Sequence, residues 1–325
     1  MLKPIAVFSR IALVITTMMY SGHAVADDYP SQDLTLIVPY SAGGGTDLMG
    51  RVYAENLSKH LGQTVIVDNR VGAGSTIGTA AVSHAAPDGY TLLFNGSSLT
   101  FHPGLFQSLP YDLKKDLKPI AILAGQSFVL YANRDFPANN IEELVAIAKK
   151  SPGTIPYASV GVGSSAHLAS ELLWDKLGIK LSHIPFPGTP QAMNDLLAGE
   201  VDLLYTTISG GADMLRAGKV KALGISGAQR SPVLPDLPTI AEQGLPGYTF
   251  TSWLAIFVPS ATPDDVVAKL AKATEQVVAD PEVRAQFEAQ GLDVQSSTPE
   301  SAEKFFVEEI DRWTKTIHAV GIDPQ

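Results

Sequence analysis

The chain has 325 residues, with 23 Lys and Arg against 33 Asp and Glu, and no cysteine. A net charge of −10 argues against nucleic acid or an anionic membrane as a partner, and the missing cysteines exclude a disulfide framework, a thiolate metal site and a cysteine nucleophile. The seven histidines are scattered, none in a His-x-x-x-His pair beside a carboxylate, so no metal and no cofactor are expected.

In chain order, Lys3 and Arg10 precede an apolar run over residues 11–20, and Ala24-Val25-Ala26 places small residues at a cleavage point. That is the plan of a secretory signal peptide over 1–26, cut after Ala26. The run is too short for a bilayer span, which needs roughly 20 apolar residues. Export makes the periplasm the expected compartment. Residues 27–325 exceed one core of average size, which predicts two domains.

Strands are predicted at 34–38, 64–68 and 90–94, separated by helices at 47–60 and 75–84. A second set follows, with strands at 127–132, 155–158, 181–184, 201–205 and 222–226 and helices at 141–149, 165–177 and 191–197. The Pro-rich stretch 231–238 reads as an exposed loop before a short helix. A β segment at 248–258 leads into terminal helices. Thr262 is the expected N-cap of the first, with Pro263 at the opening helical position, and Ser297-Thr298-Pro299 repeats the device before an amphipathic helix through His318. Alternating strands and helices imply an α/β fold with largely parallel sheets, arranged as two lobes.

Two loops stand out chemically. Tyr40-Ser41-Ala42-Gly43-Gly44-Gly45-Thr46-Asp47 follows a strand and opens a helix. Its glycines let backbone N–H groups approach a ligand, and the helix behind supplies unpaired donors and a positive dipole end, which together suit an anion. A plain turn would carry the same residues. Ser159-Val-Gly-Val-Gly163-Ser164-Ser165-Ala-His167 repeats the design, adding hydroxyl donors, with His167 as an orienting or contacting group. Ser97 and Ser98, after the third strand, either cap a helix or line the same cleft. Trp253 is either core or a ligand platform.

Two enzymatic readings fail. Gly72-Ala-Gly-Ser-Thr-Ile-Gly78 follows the second strand with the wrong glycine spacing for a dinucleotide turn. Gly224-Ile-Ser-Gly-Ala breaks the nucleophile-elbow pattern at its last position, and Ser164 with His167 three residues on is no nucleophile–base–orienter set. No catalytic residue is expected.

The chain resembles the substrate-binding receptors of tripartite tricarboxylate transporters, the Bug or TctC family. The resemblance runs through Tyr29-Pro-Ser-Gln32, Leu36-Ile-Val-Pro-Tyr-Ser-Ala-Gly-Gly-Gly-Thr-Asp47, Val67-Asp-Asn-Arg-Val-Gly-Ala-Gly-Ser75, Ala86-Pro-Asp-Gly-Tyr-Thr-Leu-Leu93, Leu109-Pro-Tyr-Asp112, Gly163-Ser-Ser-Ala-His-Leu168, Asp195-Leu-Leu-Ala-Gly-Glu-Val-Asp202 and Pro235-Asp-Leu-Pro-Thr239, in order along the whole mature chain. It implies a two-lobe periplasmic binding protein of type II, each lobe a sheet flanked by helices, with lobe 1 at 27–126 plus 251–325 and lobe 2 at 127–250. It implies a ligand carboxylate held in the cleft by Tyr40, Ser41, Ala42, Gly43, Gly44 and Thr46 and by Ser159, Gly163, Ser164, Ser165 and His167; Ser97 and Ser98, singled out from the residues themselves, and Thr206 are candidates beside them. It further implies a monomer that delivers its ligand to a membrane permease of one large and one small subunit. A sensor feeding a membrane sensory protein is the alternative use of such a module, and a periplasmic hydrolase the alternative class.

Departures from the family pattern bear on ligand choice. No acid lies between Leu203 and Ala212, where amino-acid binders place one, and Phe186-Pro187-Gly188 replaces the common Tyr-Lys-Gly. Phe101 and His102 are expected to face the same region. These features favour an aromatic or aliphatic mono- or dicarboxylate over an ammonium-bearing ligand.

Overall fold

A computed structural model describes residues 29–319; the signal peptide expected over 1–26 lies outside them. Within the described residues the elements run β1 (Leu34–Val38), α1 (Gly45–Leu61), β2 (Val65–Asn69), α2 (Thr76–Ser83), β3 (Thr91–Gly96), α3 (His102–Leu105), α4 (Leu113–Asp116) and β4 (Leu117–Asn133). They continue with α5 (Ile141–Lys150), β5 (Pro156–Ser159), α6 (Ser165–Leu177), β6 (Ser182–Pro185), α7 (Thr189–Ala198), β7 (Leu203–Thr207), α8 (Ala212–Arg216) and β8 (Val220–Ile225). The chain closes with β9 (Thr251–Pro259), α9 (Asp264–Ala279), α10 (Pro281–Ala289), β10 (Leu292–Val294) and α11 (Pro299–Ala319).

The strands form one continuous sheet in the order β2-β1-β3-β9-β4-β7-β5-β6, with β10 and β8 also on β4. Outer pairs are parallel, as crossover helices require, whereas every pairing of β4 and β9 is antiparallel. The first half of β4 pairs with β9 and β10; the second half pairs with β7 and β8. Two sheet halves therefore share one long strand, and helices cover both faces of each. On β1, Leu34, Leu36 and Val38 join the cluster packed by α1, α9 and α10, while Ile37 joins the one covered by α11. This is the period-two alternation of a strand buried on both sides. No described helix is long and apolar enough to cross a membrane.

Four expectations need correction. The strand read at 127–132 is the second half of a 17-residue strand. Pro119 and two register shifts, at 119/121 and 122/124, break the alternation of its first half and hid it. Thr262 does not cap α9: its hydroxyl donates to the Pro259 carbonyl at 2.7 Å, and Pro263 itself holds the N-cap position without a side-chain bond. The stretch 231–238 is anchored, not free, because Leu234 is buried and Val233 and Leu237 pack beside it. Phe101 and His102 do not face the cleft. Phe101 lies against Phe250 and Trp313, and His102 is fully buried.

Candidate functional site

The first Gly-rich loop is held from behind by Asp47, which is almost completely buried in the first turn of α1. Its carboxylate accepts from Gly43 N–H at 2.8 Å, Arg51 Nε at 3.0 Å and Asn69 Nδ2 at 2.8 Å, and Asn69 also donates to the Tyr40 carbonyl at 2.9 Å. Burial alone would raise the Asp47 pKa. The bonds from Arg51, Gly43 and Asn69, with the Arg51 charge, outweigh it and hold the carboxyl below its usual range. Asp47→Ala is expected to cost about 2–3 kcal/mol, because buried donors lose their acceptor, and a lower urea midpoint checks it. The stabilisation from this depressed pKa is complete above the ordinary carboxylate pKa and is lost as pH falls through the lower folded-state value.

The second loop is organised differently. Ser164 is the N-cap of α6: its Oγ accepts from His167 N–H at 3.2 Å and donates to the Gly161 carbonyl at 2.7 Å. His167 Nδ1 accepts from Gly163 N–H at 3.3 Å, and its ring stacks on His183 at 4.3 Å between centroids. Ser159 Oγ lies 2.7 Å from His183 Nε2. Burial, and for His183 also the neighbouring His167, lowers both imidazole pKa values, that of His183 to about 3. This cluster is a neutral brace under the loop.

Between the sheet halves lies a narrow cavity of about 50 Å³ that opens to solvent at its mouth. Three helices aim their N-termini at it: α1 through Gly44, Gly45 and Thr46, α6 through Ser165 and Ala166, and α7 through Gly188 and Thr189. First-turn N–H groups have no carbonyl one turn back, so they are donors available to a ligand, reinforced by the helix dipoles. Further parts of the wall come from Tyr40, Ser98 and Asn95, from Gln126 and Phe128 on β4, from Thr206 on β7 and from Ser252 and Leu254 on β9. Among the described residues, no charged side chain lines it. Tyr40 Oη lies 2.8 Å from Ser98 Oγ, and burial raises its pKa, so it stays a neutral donor.

Of the residues singled out from sequence, Tyr40, Ser41, Gly44, Thr46, Ser98, Ser165 and Thr206 line this cavity. Ala42 and Gly43 are exposed and stand outside the lining. Ser97 lies one layer back, 3.0 Å from Ser165 Oγ and 2.6 Å from Ser252 Oγ. Ser159, Gly163, Ser164 and His167 form the brace beneath α6 and are outside the lining. Trp253 is core, donating to Glu309 at 3.3 Å. Sequence reasoning put Gly188 near the cleft only as part of a departure from the family pattern and did not assign it or Thr189 as site residues, although Gly-Thr-Pro at a helix start was a legible signal. Gln126, Phe128, Ser252 and Leu254 carry no local signal at all.

Two sheet halves joined by crossing strands, with helix N-termini opposed across a cavity, are the build of a solute-binding receptor with the periplasmic-binding-protein fold. The chain belongs to the tripartite tricarboxylate transporter family of receptors, whose profile matches residues 49–322. Among solved structures, the periplasmic binding protein BugD is 35% identical, covers 91% of this chain and 100% of its own, and superposes with a TM-score of 0.88. MatC from Rhodopseudomonas palustris, with bound malate, is 34% identical over 89% of this chain and 100% of its own, at 0.84. The R. palustris protein Rpa4515, with adipate, is 29% identical over 92% of this chain and 100% of its own, at 0.88.

Proposed function

We propose that this chain is a periplasmic receptor that closes on a small carboxylate and hands it, chemically unchanged, to a membrane permease of one large and one small subunit. The observation that carries the reading is the convergence of three helix N-termini on a cavity without a charged side chain. Such a cavity attracts an anion through oriented N–H and O–H dipoles despite the acidic net charge of the chain. Lobe 1 comprises 27–126 and 251–325, lobe 2 comprises 127–250, and the ligand bridges α1 of one to α6 and α7 of the other. Only the closed form satisfies both ends, so the ligand shifts the open–closed balance by its preference for that form. Two or three charge-assisted hydrogen bonds at about 1.5–3 kcal/mol each supply much of the roughly 8 kcal/mol of a micromolar complex.

The wall offers no acid to an ammonium group, while Phe128, Val160, Ala166 and Leu254 present apolar surface. An aromatic or aliphatic mono- or dicarboxylate fits this balance, and the ligands of MatC and Rpa4515 are both acids without an amino group. In a thermal-shift and calorimetric panel of adipate, malate, terephthalate and aspartate, at least one of the first three is expected to stabilise the protein, by about 2.7 kcal/mol at 100 times its Kd. Aspartate, which differs from malate by an ammonium in place of a hydroxyl, is expected to bind at least tenfold more weakly than malate. No shift with any carboxylate, or turnover of a bound one, would overturn the reading.

A further inference from the structure

The two sheet halves also touch outside the cavity. The loop 161–164, which leads α6, rests on a shelf formed by residues between 74 and 106. A Cβ placed on Gly74 would overlap the Val162 carbonyl oxygen and lie 3.2 Å from Gly163 Cα. A Cβ placed on Gly163 would lie 2.9 Å from the Phe106 ring. Ser97 extends the contact, its Oγ 3.0 Å from Ser165 Oγ. The shelf is pinned from beneath by His102. Its Nε2 meets the Gly74 carbonyl at 3.0 Å, which makes that nitrogen the protonated one, so Nδ1 accepts from Tyr111 Oη at 2.7 Å. The Phe106 ring meets the His102 ring edge-on at 5.6 Å. One buried imidazole thus fixes both the backbone at Gly74 and the ring at Phe106. Gly74, His102, Phe106 and Gly163 all stand outside the lining of the cavity.

We propose that this shelf is a closure latch. Gly74 and Phe106, positioned by His102, hold loop 161–164 in the closed form, and they set ligand affinity from outside the cavity by setting how much of the protein is closed. The proposal rests on the closing-receptor reading above and names a determinant of its affinity. Apparent Kd equals intrinsic Kd divided by the closed fraction, so a latch that opens weakens binding of every ligand by the same factor. The glycine pair is the necessary feature: only without side chains can the two backbones meet at this distance.

Because the chain has no cysteine, the pair Ser97→Cys with Ser165→Cys reports closure by itself. Under a mild oxidant, and without ligand, the double variant is expected to cross-link. Adding Gly74→Ala is expected to slow that reaction at least tenfold, and adding Phe106→Ala about threefold, with a cooperative thermal unfolding transition recorded before oxidation to show that each variant is folded. Absence of any cross-link in the parent pair overturns the latch, as does an unaltered rate in Phe106→Ala or in folded Gly74→Ala. In the cysteine-free background, Gly74→Ala is expected to raise the apparent Kd for adipate and for malate by one common factor of about ten. If no acid of the panel binds the unmodified protein, the carboxylate reading fails, while the cross-linking rates still decide the latch.

Discussion

Gly45→Ala is expected to weaken carboxylate binding by about ten- to a hundredfold while leaving thermal unfolding of the free protein unchanged or slightly improved. Gly45 opens α1 and lines the cavity. A Cβ there would overlap Ser209 Oγ and lie 2.9 Å from Thr207 Oγ1, both across the cleft. The clash therefore exists only when the halves are together. Forcing an extra methyl into a packed contact costs about 1–3 kcal/mol, and each 1.4 kcal/mol is a factor of ten in Kd. The free protein escapes the penalty by staying open, and alanine is a better helix former than glycine. Calorimetric titration alongside a melting curve separates the two effects. Equal affinity in the variant would mean that α1 does not approach 207–209 in the bound form.

Acidification below about pH 6.5 is expected to destabilise the protein before most of its carboxylates are protonated. His102 is fully buried, and burial, only partly offset by its bond to the Gly74 carbonyl, lowers its pKa from 6.5 to about 4. The unfolded chain takes the proton first. Stability from this group is therefore complete above about pH 6.5, declines as pH falls below that, and is fully lost near pH 4. At 1.36 kcal/mol per unit the loss is about 3 kcal/mol. His183, lowered to about 3, acts in the same direction. Urea midpoints at pH 7, 5.5 and 4.5 should fall in sequence, and His102→Gln should flatten much of that slope while lowering the midpoint at pH 7. A midpoint independent of pH over this range would show that His102 is protonated within the fold.

Much of the fold was legible because strands and helices are local decisions. The residues of α6, predicted at 165–177, follow from an N-cap serine and a C-cap glycine, Gly178 at φ +63°, both readable in the chain. The seams were less legible. The first half of β4 looks irregular in sequence because two register shifts against β9 break its alternation, and β10 is a three-residue strand that exists only because β4 offers it an edge.

The site divides along the same line. Sequence by itself determined that two Gly-rich turns lead helices, that no acid occupies 203–212, and that the chain carries the family's series of motifs. Only the tertiary structure decided which donors face the cavity: Ser165 and not its neighbour Ser164, whose hydroxyl is consumed as a cap, and Gly44 and Gly45 rather than Ala42 and Gly43. It also brought in α7, Gln126 and Ser252, which lie far apart in the chain. The physical reason is that backbone conformation and capping depend on residues a few positions apart, whereas the direction a donor points across a cleft depends on how two sheet halves pack through strands more than a hundred residues apart in sequence.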